Sequence, residues 1–192
     1  MLISVEGVDG AGKTTLVAGL AAALEGAVVL REPGGTAVSE RVRDVLTDPE
    51  LEIDTRAEAL LYAAARAQLV AEQLRPLLES GTTVVLDRFV DSSLAYQGAA
   101  RGLGIEDVRA LNDFGTGGLK PDRTLLLRVD PAVARARIAD RAADRLERED
   151  ASFFAAIADA YDALAAAEPD RIVVIDAGQS PEAVLADALA AL

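Results

Sequence analysis

Lys13 and Thr14 close the run Gly7-Val8-Asp9-Gly10-Ala11-Gly12-Lys13-Thr14, which fits G-x-x-x-x-G-K-[ST] without a gap. The residue types dictate a chemistry. Glycines let the backbone bend until successive N–H groups point into one concavity, which suits an anion. A helix opening at Thr15 adds its unpaired amides and the positive end of its dipole. Lys13 then reaches the outer phosphates of such an anion, and the Thr14 hydroxyl holds Mg²⁺. The alternative is a glycine-rich turn that merely joins strand to helix. Leu2–Glu6 before the run reads as a short buried strand, and Thr15–Ala21 after it has helical apolar spacing. Strand, motif and helix together describe a nucleoside triphosphate site.

Subtraction narrows the reaction. The 192 residues include neither His nor Cys. That excludes a disulfide framework, a thiol nucleophile, a zinc site of the usual kind and an imidazole base. Phosphoryl transfer survives, because its catalysis is mainly positioning and charge neutralisation by Lys, Arg and Mg²⁺. Of the 19 basic residues only Lys13 and Lys120 are lysines, and one of them is in the phosphate loop. The formal charge of −13 argues against a nucleic-acid partner, which needs a basic face. A small anionic ligand can still bind where arginines converge. Neither a signal peptide nor a membrane span is expected.

Positioning such a site requires strands with their carboxyl ends side by side. Five apolar runs qualify: Leu2–Glu6, Ala27–Arg31, Thr83–Asp87, Arg123–Val129 and Arg171–Asp176. Continuous Val, Leu and Ile runs are expected of a parallel sheet covered on both faces. Helical segments fill the gaps, so the expected fold is α/β. It is a P-loop three-layer α/β/α sandwich, built as a single domain over residues 1–192. Ligands in such sheets sit at the carboxyl ends of the strands.

The residues just after those strands are therefore candidates. Arg31-Glu32-Pro33-Gly34-Gly35-Thr36 makes a tight loop, with Thr36 or Ser39 capping a helix near Val38, though it equally suits a plain connection. A long helix is expected over Thr55–Glu79, broken near Arg75 by Pro76. On it Tyr62 and Arg66 share a face, where they could stack on a base and bond its edge, or form an ordinary surface pair. Asp87 closes the third strand beside the phosphate loop, able to orient Mg²⁺, a water or a ligand hydroxyl. Arg88 next to it can bridge phosphates with its planar fork, and a structural Asp–Arg pair is the alternative. Ser93, Tyr96 and Gln97 could face one ligand, or Tyr96 could be a core tyrosine. The arginine-rich stretch of about 135–150 reads as a solvated helix surface or as a mobile lid reaching over phosphates.

Taken together, these landmarks resemble the bacterial thymidylate kinase family. The resemblance rests on Glu6–Thr14, Arg31–Thr36, Tyr62-Ala63-Ala64-Ala65-Arg66, Asp87-Arg88-Phe89, Ala95-Tyr96-Gln97-Gly98 and Asp144-Arg145-Leu146-Glu147, in the family's order. It implies transfer from ATP to dTMP with Mg²⁺, giving dTDP and ADP, in a cytoplasmic homodimer. By matched position, Tyr62 stacks on thymine, Arg66 bonds its edge, and Ser93 and Gln97 read the base. Tyr96 lies against the sugar and helps exclude a 2′-hydroxyl. Asp9 sits at the 3′-hydroxyl or the metal region. Arg88 clamps the dTMP phosphate in a loop shaped by Glu32 and Pro33, and Asp87 serves the phosphate and Mg²⁺ network. Gly10 stands where some members carry a basic residue, so a lid arginine, Arg137, Arg141 or Arg145, is expected to supply that charge, Arg141 first. Competing readings are a kinase for another nucleoside monophosphate or a deoxynucleoside, and, in a different class, a P-loop nucleotide switch or ATPase module. The switch reading lacks its guanine motif, since the single asparagine, Asn112, precedes Asp113.

Overall fold

The structure is a computed structural model that describes residues 1–138, 145–146 and 148–192. Its strands are β1 (Leu2–Glu6), β2 (Val28–Arg31), β3 (Val84–Asp87), β4 (Arg123–Arg128) and β5 (Ile172–Asp176), all parallel in the order β2-β3-β1-β4-β5. Each lies within a residue or so of the apolar run that announced it. β1 is central and wholly buried. Its odd residues Ile3 and Val5 pack with Leu20, Val85, Leu125, Leu127 and Ile175 under helices α1 (Lys13–Ala23) and α9 (Pro181–Ala190). The opposite face is closed in two parts. Leu2, Val84, Leu86 and Phe89 meet Leu69 and Leu74, while Leu126 and Ile172 meet Leu94, Phe153, Ile157 and Leu164. Alternation along a strand that is buried on both sides produces this two-faced core.

Helices α2 (Ala37–Thr47), α3 (Thr55–Leu69), α4 (Arg75–Glu79), α5 (Val90–Ser93), α6 (Ile105–Thr116), α7 (Pro131–Arg137) and α8 (Ala151–Ala167) complete the layers. Thr36 is the cap of α2, accepting from the Ser39 amide at 3.1 Å. The break expected at Arg75 is milder than a break. A π-helical turn, Val70–Leu74, widens the helix just before Pro76, and the chain continues as α4. A proline cannot donate to the preceding turn and crowds its carbonyl, and a π turn relieves both. A second π turn, Leu94–Ala100, continues α5 and buries Tyr96 and Gln97.

Candidate active site

The phosphate loop hangs between β1 and α1. Gly12 caps α1 in the left-handed conformation (φ 97°), and no described side chain bonds to the cap. The first amides of α1 are thus left for a ligand, as an anion site requires. Lys13 is 7% exposed, and its Nζ donates to the carbonyls of Gly7 at 3.1 Å and Val8 at 2.9 Å. Burial, with the nearby Arg88 charge, lowers its pKa to about 8. Gly7, Val8 and the buried Ala11 shape the loop from behind, while Asp9, Gly10, Gly12, Lys13, Thr14 and Thr15 line a cavity of about 580 Å³.

The opposite wall begins at the corner after β3. Arg88 holds φ at 69°, a conformation that costs a non-glycine residue on the order of 1–2 kcal/mol. β1 fixes this corner. The Arg88 amide donates to Val5 O at 3.0 Å, and the Phe89 amide donates to Glu6 Oε1 at 2.7 Å. The guanidinium then donates to Asp9 Oδ1 at 2.6 Å, to Gly7 O at 3.1 Å and to Ser92 Oγ at 3.0 Å, and it lies 5.1 Å from the Tyr96 ring centre. The Tyr96 hydroxyl donates to Asp9 Oδ2 at 3.3 Å. Burial alone would raise the Asp9 pKa, but Arg88 and Lys13 outweigh it and hold the carboxyl well below its usual range. Behind them Glu6, fully buried, accepts from Ser92 and Tyr161. Burial and the Asp91 charge raise its pKa.

The third wall comes from α3. Arg66 is buried and donates through Nε to Glu32 at 2.6 Å, through Nη1 to Ser93 Oγ at 2.9 Å and to Asn112, and through Nη2 to Phe89 O at 3.0 Å. It lines the cavity with Tyr62, Ser93, Tyr96 and Gln97. Glu32 Oε1 has no hydrogen-bond partner among the described residues, and burial raises the Glu32 pKa to about 7 against the pull of Arg66. Arg31 and Arg43 also reach the cavity, Arg43 donating to Pro33 O at 2.9 Å. With Lys13, Arg66, Arg88 and Arg137, they surround it with cations in a chain of net charge −13. That local convergence is what an acidic protein needs to hold an anion.

The lid candidates separate. Arg137 on α7 lines the cavity and donates to Gly10 O at 3.4 Å and Ala177 O at 3.1 Å. Arg145 is committed elsewhere, to Leu46 O at 3.1 Å and to the buried Glu58 at 2.6 Å. Arg141, with Asp144 and Glu147, lies outside the described residues. Gly10 is where α7 rests on the loop. A β-carbon there would come 2.1 Å from Ala134 O, and φ is 83°. Gly10→Ala is therefore expected to push α7 away and lower Tm by roughly 2–8 °C. Scanning calorimetry checks this, and an unchanged Tm would mean that α7 does not bear on the loop.

Mg²⁺ asks for hard oxygen donors and, beside phosphates, needs only one or two from the protein. Thr14 and Asp87 offer a hydroxyl and a carboxylate on the cavity wall, and no described donor occupies either. The residues fit that ion. Glu6, Ser92, Tyr161, Glu58 and Asn112 were given no part in the site from the sequence. Glu58 could have been found, since it stands four residues before Tyr62 and eight before Arg66 on one helix stripe.

A family model described as thymidylate kinase matches residues 5–188. The chain is 48% identical to the thymidylate kinase of Deinococcus radiodurans, covering all of this chain and 96% of that one. It is 50% identical to that of Bifidobacterium longum over 97% and 94% of the two chains. Identity to the Lactobacillus delbrueckii subsp. bulgaricus enzyme is 47%, over 96% of this chain and 91% of that one. The crystal structure of thymidylate kinase from Ehrlichia chaffeensis superposes with a TM-score of 0.80 at 29% identity, covering 99% of this chain and 97% of that one. The phosphate loop and the parallel sheet come with a family match over nearly the whole length, and the chain belongs to the thymidylate kinase family.

Proposed function

We infer that this chain transfers the γ-phosphoryl group of ATP to dTMP, giving ADP and dTDP on the way to dTTP. The observation that carries this is one cavity whose walls join the phosphate loop, a half-buried arginine–aspartate cluster and the Tyr62–Arg66–Ser93–Gln97 group. Its volume suits a nucleotide-sized ligand. ATP lies with its phosphates on the loop amides and Lys13. The dTMP phosphate meets Arg88, already aimed by Asp9, Ser92 and Gly7 O. The thymine sits between Tyr62, as a stacking face, and Arg66, Ser93 and Gln97, as edge partners. Tyr96, held by Asp9 and stacked on Arg88, closes the sugar side against a 2′-hydroxyl. Glu32 and Pro33 shape the loop behind.

Thr14 and Asp87, the latter directly or through water, would hold Mg²⁺. Bound there, the ion supplies charge neutralisation at the β- and γ-phosphates. Residues 1–192 act as one catalytic unit with a lid at about 135–150. Its arginines complete the neutralisation on closure and exclude water. Alanine variants at Arg137, Arg141 and Arg145 are then expected to show unequal losses of turnover. Arg145→Ala should be the mildest in kcat, since its guanidinium faces Glu58 rather than the cavity. Equal, wild-type turnover in all three would remove the lid from the mechanism.

A homodimer is the working assembly. Leu60 on α3 and Phe114 on the adjacent α6, 57% and 90% exposed, favour a helical contact face. The setting is the cytoplasm, with no nucleic-acid partner and no membrane association. No described helix is long and apolar enough to cross a bilayer.

Lys13 gives the site a pH signature. Free protein releases the lysine proton near pH 8, whereas the triphosphate favours the charged form. Binding above that pH must take up a proton, so ATP affinity should fall with rising pH, by up to about tenfold per unit. Calorimetry from pH 7 to 9.5 tests it, and a flat profile would mean Lys13 does not meet the phosphates. The acceptor is tested by coupled ADP release with dTMP, dUMP, dCMP, AMP and thymidine. dTMP should give the highest kcat/KM. Preference for AMP or thymidine would move the chain to a different kinase reaction, and ADP release indifferent to acceptor would favour an ATPase module.

A further inference from the structure

The base-reading side chains are themselves held from behind, and one of the holders has no part in the reaction as described so far. Glu58 lies in the first turn of α3 and is fully buried. Its Oε1 accepts from Gln97 Nε2 at 2.9 Å, and its Oε2 accepts from Arg101 at 3.2 Å and from Arg145 at 2.6 Å. We propose that Glu58 is the positioning residue that fixes the amide of Gln97, and that it thereby selects a base with an imide N–H over an amino-pyrimidine such as cytosine. The proposal rests on the reading that Gln97 faces the acceptor base.

A primary amide has a donor end and an acceptor end of nearly the same shape, so packing alone does not choose between its two orientations. A carboxylate can only accept. With Gln97 turned over, two oxygens would face each other at hydrogen-bond distance. The NH₂ end must therefore point at Glu58. Gln97 Oε1 points the other way, and no described group donates to it. Gln97 lines the cavity, and an amide whose donor end is held by Glu58 offers its oxygen to a base bound there.

An acceptor fixed at that position matches the ring N–H of thymine or uracil. Cytosine presents a lone pair at the same ring atom, and the two acceptors would repel. Sites that satisfy a buried polar group with the right ligand discriminate strongly, because the wrong one leaves that group unpaired. The two guanidinium groups make the device rigid. They hold the carboxylate in charge-assisted bonds, so Glu58 does not turn to accommodate a flipped amide. One of them, Arg145, comes from the lid stretch. Lid placement and base choice therefore share one carboxylate.

Glu58→Gln replaces an acceptor-only group with one that also donates, and so frees Gln97 to present either end. At saturating ATP, the ratio of kcat/KM for dTMP to that for dCMP is expected to fall by roughly tenfold or more. The KM for ATP should be unchanged. A purely structural role would lower both acceptors by the same factor, and that outcome overturns the proposal. Should the variant not fold, the wild-type protein carries the test. N3-methyl-dTMP, which lacks the imide proton, should bind at least about tenfold more weakly than dTMP in calorimetry. Equal binding overturns the proposal. Wild-type protein that phosphorylates dCMP but not dTMP would instead overturn the function on which it rests.

Discussion

Lys13→Ala is expected to leave a folded protein that has lost at least two orders of magnitude of turnover. In the free protein the lysine charge stabilises little, since burial and Arg88 press its pKa down to about 8. Its two bonds are to the Gly7 and Val8 carbonyls of the loop, and Asp9, 3.6 Å from the ammonium, keeps the closer Arg88 at 2.6 Å. Truncation therefore relieves a disfavoured charge, and the fold should survive. Turnover should not. The γ-phosphoryl group carries its negative charge through a loose transition state, and a preaimed cation matters most at that point. Losing one such contact costs on the order of 3 kcal/mol, more than a hundredfold in rate. Circular dichroism with single-turnover kinetics separates the two effects. A folded variant with near-normal turnover would mean that the glycine loop does not hold the reacting phosphates.

Arg66→Ala should fail differently, by losing stability. Arg66 is the buried hub to which α3, α5, α6 and the loop after β2 are tied, through Ser93, Asn112 and Glu32. Removing one partner of a buried ion pair strands the other and costs about 3–5 kcal/mol. Glu32 is poorly placed to absorb that, because its Oε1 lacks a partner among the described residues and its pKa already stands at about 7. Without Arg66 its pKa should rise further, so the folded variant holds a proton that the unfolded chain gives up above pH 4.5. Folded protein then binds more protons than unfolded, and stability falls as pH rises through that window. Denaturant melts should accordingly show a larger deficit at pH 8 than at pH 5. A deficit below about 1 kcal/mol at pH 8 would reduce Arg66 to an ordinary base contact.

The two residues also mark what a sequence discloses. Lys13 could be read at once, because its chemistry is local: strand, glycine loop and helix are contiguous. The five strands were legible for a similar reason, since burial on both faces leaves uninterrupted runs such as Val84-Val85-Leu86. Arg66 was legible as the partner of Tyr62 on one helix face, at a base edge or in a surface pair, but not as a buried hub. Its partners come from positions 32, 89, 93 and 112, and no periodicity connects them. The same holds for Glu6, whose partners Ser92 and Tyr161 arrive from other layers, and for Arg145, whose commitment to Glu58 turns it from the phosphates. Gly10 was noticed for the charge it lacks. Its packing reason, the nearby Ala134 carbonyl, belongs to a helix 124 residues later in the chain.

The central claim, that one cavity brings ATP and dTMP together for direct transfer, is tested most directly by following the two nucleotides and Mg²⁺ with this protein by ³¹P NMR. The account predicts that dTDP and ADP appear in equal amounts, with no inorganic phosphate while dTMP remains. ADP accompanied by inorganic phosphate, with dTMP unchanged, would contradict it.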